Sequence, residues 1–328
     1  MSAHHTLYIV IPCYNEEEVL PETAVRLRDK LEQLMAQGKV SPDSRILLVN
    51  DGSKDRTWEL ITRLHQVCPL LCGIDLTRNR GHQNALLAGL MYAKDRADMV
   101  ISMDADLQDD IHAMDAMVDK YLEGVDIVYG VRSSRKQDSF FKRTTAEAFY
   151  RLMSSLGAET VFNHADYRLM SRRALEGLAQ FREVNLFLRG IIPLIGYRTD
   201  IVEYERGERF AGESKYPIKK MLAFAMEGIT SLSVKPLRMI TALGFVLFMI
   251  SAVMLVYILT RWAGGQTVTG WASLSCSLWG IGGLILLCLG IIGEYVGKIY
   301  LESKARPRFL IRTVLESPKG ESESFHRD

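Results

Sequence analysis

Residues 7–35 read LYIVIPCYNEEEVLPETAVRLRDKLEQLM and contain the unit from which the fold is built. The apolar run Leu7–Ile11 favours a buried β-strand. A polar turn follows, and the stretch Glu16–Met35 carries apolar residues at helical spacing. This part of the chain therefore predicts a strand, a polar turn and a helix, in that order.

The same order recurs through the front half of the chain. Further strands are predicted at Arg45–Val49, Leu71–Leu76, Met99–Met103 and Asp126–Val131, and further helices at Thr57–Val67, Gln83–Lys94 and Ala113–Leu122. Strands that alternate with helices of this length form βαβ units, so we expect an α/β fold with a mostly parallel sheet. Ligands of such sheets bind at the carboxyl ends of the strands.

Polar clusters stand at those ends. They are Pro12–Glu17, Asn50–Ser53, Arg78–Gly81, Asp104–Gln108 and Arg132. Turn or helix-cap chemistry explains any one of them. Five such clusters at one edge of a sheet indicate a binding site.

The sharpest pair is Asp104 and Asp106. Two carboxylates at positions i and i+2 after a strand can both reach one hard cation, and magnesium is commonly held by one or two carboxylates together with substrate phosphates. The sequence contains neither GxGxxG after the first strand nor GxxxxGK[ST], so a dinucleotide dehydrogenase or a P-loop nucleotidase lacks its phosphate cradle.

The composition excludes several classes of protein. The chain has 328 residues, 40 basic and 39 acidic, and a net charge of +1. That balance gives nucleic acid no electrostatic attraction, and the length suggests two folding units. The mean hydropathy of +0.03 is an average over unlike regions.

No charged residue occurs in Met239–Thr260 or in Trp262–Gly293. Each stretch is long enough to cross a bilayer as a helix, and the short turn between them predicts a two-helix transmembrane hairpin. A pair of buried core helices is the alternative, but soluble helices of this length usually carry charge on one face. Pro217–Val234 mixes lysines with apolar residues, which favours helices at the membrane interface over an ordinary surface helix.

Basic residues lie on both sides of the hairpin. They are Lys215, Lys219, Lys220, Lys235 and Arg238 before it, and Lys298, Lys304, Arg306 and Arg308 after it. Only Arg261 lies between the spans, so we expect both termini to be cytoplasmic at the plasma (inner) membrane. The five cysteines have no zinc-like spacing and are expected to be free thiols, and no signal peptide is visible.

The chain resembles a known family along nearly its whole length. The motifs are IPCYNEE, NDGSKDRT, LTRNRGHQNALLAG, DADLQD, ADYRLMSRRAL, RFAGESKY and, after the spans, GEYVGKIYLESKARPRF. They are similar to those of family 2 glycosyltransferases of the GT-A (Rossmann-like) fold. Among these the chain looks most like the polyprenyl-phosphate glycosyltransferases, such as the bactoprenol glucosyltransferases and dolichol-phosphate mannose synthase. The QxxRW motif of processive polysaccharide synthases is absent.

The resemblance implies residue roles. Nucleotide-sugar binding falls to Pro12, Asn15, Glu16, Asp51, Arg78, Asp104 and Gln108, and a divalent Mg²⁺ or Mn²⁺ to Asp104 and Asp106. The implied acceptor-phosphate residues are Arg132, Arg209, Ser214 and Lys215, and the implied catalytic residues are Asp106, Asp166 and Arg209. The alternatives left open are that Arg78 is an ordinary loop charge and that Arg209 and Lys215 are juxtamembrane anchors.

The implied reaction is inverting transfer of a sugar from a nucleotide sugar to undecaprenyl or another polyprenyl phosphate for cell-envelope glycan modification. UDP-glucose is the favoured donor, with UDP-N-acetylglucosamine, UDP-formamidoarabinose and GDP-mannose as alternatives. A non-lipid acceptor and a non-enzymatic membrane scaffold are the rival interpretations, and intact Asp104, Asp106 and Gln108 argue against the scaffold.

The predicted organisation has four parts. They are a catalytic domain at 1–210, an acceptor loop with interfacial helices at 211–236, two spans at 237–293 and a cytoplasmic tail at 294–328. The expected partners are the nucleotide sugar, the polyprenyl phosphate and membrane lipids. Glycines in the second span permit close helix packing, so a homo-oligomer stays open.

Overall fold

The computed structural model describes residues 5–132, 164–205, 235–264 and 270–316. Of these, 5–132, 164–205 and 307–316 belong to one compact unit, and 235–264 and 270–306 belong to a second. The predicted interfacial helices at 217–234 and the residues Arg209, Ser214 and Lys215 lie outside the described residues.

The first unit alternates strands with helices. Its strands are β1 (Leu7–Cys13), β2 (Arg45–Asn50), β3 (Leu71–Leu76), β4 (Met99–Ser102), β5 (Ile127–Arg132), β6 (His164–Ser171), β7 (Thr199–Tyr204) and β8 (Ile311–Leu315). Its helices are α1 (Leu20–Ala36), α2 (Thr57–Val67), α3 (His82–Lys94), α4 (Ala113–Leu122), α5 (Arg172–Leu178) and α6 (Leu188–Leu194). The five predicted strands and four predicted helices are confirmed to within a few residues.

In the described part of the chain these strands form one eight-stranded sheet in the order β7-β5-β6-β4-β1-β2-β3-β8. The pairs β1/β2, β1/β4, β2/β3 and β5/β7 are parallel. The pairs β3/β8, β4/β6 and β5/β6 are antiparallel. Six of the eight strands run in the same direction, so the sheet is mixed but mostly parallel, which confirms the expectation. Antiparallel pairing enters through β6 and β8, neither of which carries a continuous apolar run.

Both faces of the sheet are buried at its centre. In β1, Ile9 and Ile11 belong to one core cluster, and Val10 belongs to the other. A strand covered on both faces needs apolar residues at every position, which is why β1 reads as an unbroken apolar run. Helix α3 lies so close that a Cβ added at Gly89 would be 2.3 Å from Val10 Cγ1.

The described part of the second unit contains two apolar helices, α7 (Lys235–Ala263) and α8 (Trp271–Lys304). Among the described residues, one segment, Gly280–Lys304 in α8, is long and apolar enough to cross a membrane. Leu237–Val246 in α7 is a shorter apolar segment. The C-terminal apolar helix is thus a candidate span, and the two-span hairpin stays a prediction.

Candidate active site

The loops after β1 and β2 are joined by hydrogen bonds. The Asn15 amide donates to Ser53 Oγ at 3.0 Å, and Asn15 Oδ1 accepts from the Lys54 amide at 2.9 Å. Asn15 has a φ of 55°, which turns the chain sharply after the strand. The Glu16 amide donates to Thr57 Oγ1 at 2.9 Å. The two loops border a cleft of about 480 Å³ lined in part by Asn15, Glu16 and Lys54.

Asp51 fastens the loop after β3. Its carboxylate is 2% exposed and accepts hydrogen bonds from the amides of Arg80 (2.7 Å) and Gly81 (2.9 Å). Burial raises the pKa of the Asp51 carboxyl group, and the two hydrogen bonds from the backbone amides oppose that rise. The buried carboxylate thus stabilises the conformation of the loop after β3. Its implied contact with a nucleoside stays a prediction.

Gly52 lies where these loops approach most closely. Its φ is +61°, and an added Cβ would be 2.5 Å from the backbone nitrogen of Asn79. Gly196 has a φ of +75°, but an added Cβ there would meet only Leu194 O at 3.9 Å. Both glycines have a positive φ, but only Gly52 has backbone atoms packed against the position of a Cβ.

We expect Gly52→Ala to lower the free energy of unfolding by about 2–4 kcal/mol, because left-handed strain and a backbone clash add together. Gly196→Ala is the matched control and should cost about 1–2 kcal/mol, the strain alone. Denaturant unfolding of both variants measures the difference. Equal losses would show that the loops at Gly52 move apart without cost.

Asp104 and Asp106 follow β4 and lie beside other carboxylates. Asp106 Oδ1 accepts from the Gln108 amide at 3.2 Å, and Leu107 between them has a φ of 56°. Burial and the charges of Asp166, Asp109 and Asp106 raise the pKa of Asp104 to about 6, although His82 opposes the rise. Negative charge is therefore concentrated here.

The donor set fits a hard divalent cation. Among the residues that the structure describes, no group of three or more His, Cys, Asp or Glu side chains could hold a metal ion. A cation on Asp104 and Asp106 would take its remaining ligands from substrate oxygens and water, as magnesium commonly does.

Asp166 lies on β6 and is held by two arginines and a histidine. Arg189 donates to it from Nε (3.2 Å) and Nη2 (3.0 Å), and Arg168 Nη2 donates to its Oδ1. His82 Nε2 lies 3.5 Å from Asp166 Oδ2 and 3.5 Å from Asp104 Oδ1, so it bridges the two carboxylates. Burial raises the pKa of Asp166, but His82, Arg168 and Arg189 outweigh it and hold that pKa well below its ordinary value.

These three partners were not predicted as site residues. Arg168 lies in the motif ADYRLMSRRAL and His82 in LTRNRGHQNALLAG, whereas Arg189 lies in none of the motifs. Arg168 was detectable in principle, because positions i and i+2 of a strand share one face. His82 and Arg189 reach Asp166 through tertiary contacts alone.

Arg132 ends β5 and is paired within the protein. Its Nη2 lies 3.2 Å from Asp109 Oδ1, and its Nε donates to Tyr204 Oη at 3.2 Å. Tyr204 also donates to the buried Asp109. Asp109 and Tyr204 therefore fix the direction of the Arg132 guanidinium.

The remaining predicted residues differ in their placement. Pro12 is buried within β1, Arg78 is exposed, and Gln108 is partly buried after β4. The structure brings Asp104 and Asp166 together through His82.

Comparison with known proteins shows the class to which this site belongs. Residues 8–178 match the family described as glycosyl transferase family 2. The chain is 55% identical to the uncharacterized glycosyltransferase YkoT of Bacillus subtilis, over 93% of this chain and 90% of that protein. It is 40% identical to the bactoprenol glucosyl transferase of Shigella phage SfX, over 93% of this chain and 98% of that protein.

The chain therefore belongs to glycosyltransferase family 2 and is a glycosyltransferase. The resemblance to this family and the GT-A type of α/β fold are confirmed. Among solved structures, mannosyl-3-phosphoglycerate synthase from Rubrobacter xylanophilus superposes with a TM-score of 0.46 at 15% identity, over 73% of this chain and 75% of that one.

Proposed function

We propose that the protein transfers glucose from UDP-glucose to undecaprenyl phosphate on the cytoplasmic face of the membrane, for modification of cell-envelope glycans. The observation that carries the proposal is the carboxylate pair Asp104 and Asp106, of which Asp104 is bridged through His82 to Asp166. The choice of glucose and of the lipid acceptor is supported by the relatives named bactoprenol glucosyl transferase.

The acceptor in this reaction needs little help from a base. A phosphate monoester loses its second proton near pH 6, so it is already an anion at neutral pH. Asp166 is bound by Arg168 and Arg189 and has a depressed pKa, which makes it a poor proton acceptor. We assign it the role of orienting the sugar and stabilising positive charge at the anomeric carbon during an inverting displacement.

The main physical obstacle is repulsion between an anionic acceptor and an anionic donor. Asp104 and Asp106 would hold a divalent cation, which when bound neutralises charge on the leaving diphosphate. Arg132, held in direction by Asp109 and Tyr204, would face the acceptor phosphate. We propose that Arg209, Ser214 and Lys215 complete the acceptor site and that Arg209 also takes part in catalysis.

Membrane anchoring is part of the proposal. Helices α7 and α8 would form two spans within 237–293, with 1–210 and 294–328 both cytoplasmic. The basic residues before and after the spans support this orientation. Residues 211–236 would carry the acceptor loop and the interfacial helices.

The purified protein should add one hexose unit to undecaprenyl phosphate when supplied with UDP-glucose and a divalent metal. Mass spectrometry of the lipid product measures this. The other donors to be tested are UDP-N-acetylglucosamine, UDP-formamidoarabinose and GDP-mannose. Each donor is tested with undecaprenyl phosphate and with undecaprenol, which lacks the anionic acceptor group. Transfer from another donor would replace glucose but keep the reaction class, whereas the absence of any lipid product would contradict the proposal.

A further inference from the structure

The chain after the apolar helices returns to the catalytic sheet. Strand β8 pairs antiparallel with β3, with Thr313 opposite Asp75 and Ile311 opposite Leu76. The register shifts between these pairs, and Arg312 falls at the shift. Such irregularities redirect a side chain near a strand end, and Arg312 reaches back to β3.

Arg312 makes two contacts there. Its Nη1 lies 3.1 Å from Asp75 Oδ2, and its Nη2 donates to the Thr77 carbonyl at 2.7 Å. The Arg312 side chain is 58% exposed, whereas Asp75 is 2% exposed. The pair therefore has a buried carboxylate on one side, and removing the arginine leaves that carboxylate without its cation.

Asp75 connects Arg312 to the candidate active site. Its other oxygen, Oδ1, accepts from Asn50 Nδ2 at 2.7 Å, and Asn50 is also 2% exposed. Asn50 Oδ1 accepts from the Ser53 amide at 3.2 Å, and Ser53 Oγ accepts from the Asn15 amide at 3.0 Å. A continuous chain of polar contacts thus runs from the tail to the loops after β1 and β2.

The geometry points to Arg312 as a positioning residue for the nucleotide sugar. Through Asp75 and Asn50 it would hold the loop at Ser53, and with it Asn15, in the shape that receives the nucleoside. This inference rests on the proposed function, because it takes those loops as the donor site.

The tail has a second attachment that supplies a matched control. Glu316 accepts from Arg96 Nη2 at 3.0 Å and is also bonded by Tyr92, both on the α3 side of β3. Neither contact leads to Asn50 or Ser53. A Glu316→Gln variant therefore weakens the contacts of the tail with Arg96 and Tyr92, which are separate from the contacts of Arg312 with Asp75 and Thr77.

Arg312→Ala should raise the KM for UDP-glucose about fivefold to tenfold, because one net hydrogen bond of loop positioning is lost. We expect kcat and the KM for undecaprenyl phosphate to change by less than about twofold, because among the described residues Arg312 contacts Asp75 and Thr77 and not Asp104, Asp166 or Arg132. Arg312→Lys should recover part of the lost affinity for UDP-glucose. A lysine can reach Asp75, but it lacks the planar guanidinium that donates to Asp75 and to the Thr77 carbonyl at the same time. Glu316→Gln should leave the KM for UDP-glucose unchanged.

Steady-state kinetics of the full-length protein give these constants, and amide hydrogen exchange reports on the loop without any substrate. Faster exchange confined to the Asn50–Ser53 loop in Arg312→Ala, with unchanged exchange in β1 and β4, supports local positioning. An unchanged KM in Arg312→Ala, or an equal rise in Glu316→Gln, would overturn the inference. A wild-type protein that does not use UDP-glucose contradicts the proposed donor instead, and the exchange experiment then decides whether Arg312 holds the loop.

Discussion

Asp104→Asn and Asp106→Asn are each expected to lower sugar transfer by at least about a hundredfold, because the leaving diphosphate loses several kcal/mol of charge stabilisation. The two carboxylates follow β4 in a region where negative charge is concentrated, which a divalent cation would relieve. An asparagine keeps the size of the side chain and removes its charge. The effect should therefore appear as lost metal-dependent activity in a folded protein.

Asp110→Asn is the matched control for this pair. Asp110 lies in the same loop, and its Oδ1 accepts from the His112 amide at 2.9 Å, which an asparagine oxygen can also do. We expect its activity to stay within about twofold of the wild type. Chelator should abolish wild-type transfer, added Mg²⁺ or Mn²⁺ should restore it, and Mn²⁺ binding in the presence of UDP should weaken in both site variants. Full transfer in chelator would remove the metal from the mechanism.

The centre of the fold was predictable because its strands are covered on both faces. Burial on both sides favours the mainly apolar runs by which β1 to β5 were found. Strand β6 escaped prediction because it carries Asp166 and Arg168, a buried charged pair that breaks the apolar pattern. Strand β8 was not predicted, because four of its five residues are exposed and its sequence therefore lacks the apolar pattern of a buried strand.

Part of the candidate site was also predictable from the sequence. Asp104, Asp106 and Asp51 follow apolar runs directly, and the carboxyl ends of parallel strands share an edge. Asp75 was missed because it is a charged residue inside a buried strand, and its partner Arg312 lies more than two hundred residues along the chain. Arg189 was missed for a similar reason, since no local pattern records its contact with Asp166.

The second large effect is expected at the cluster around Asp166. Arg189→Ala should lower kcat by about tenfold to a hundredfold, because a reacting group that shifts slightly loses its alignment. Arg168, buried beside the same carboxylate, remains to balance its charge, so the fold should survive. Asp166→Asn is more severe, because it leaves the buried Arg168 without its anion and costs about 3–5 kcal/mol of unfolding free energy in addition to activity.

Arg189→Lys and Arg173→Ala separate positioning from general charge. A lysine keeps the charge but cannot donate to both Asp166 oxygens, so Arg189→Lys should recover kcat only partly. Arg173 is an exposed arginine of α5 that stacks on Tyr197, and its removal should leave kcat unchanged. Because Asp166 is assigned an orienting role, the loss in Arg189→Ala should fall on kcat while the KM for the nucleotide sugar stays near the wild-type value. A wild-type kcat in Arg189→Ala would show that Arg168 and His82 orient Asp166 without it, and a loss confined to KM would move Arg189 to donor binding.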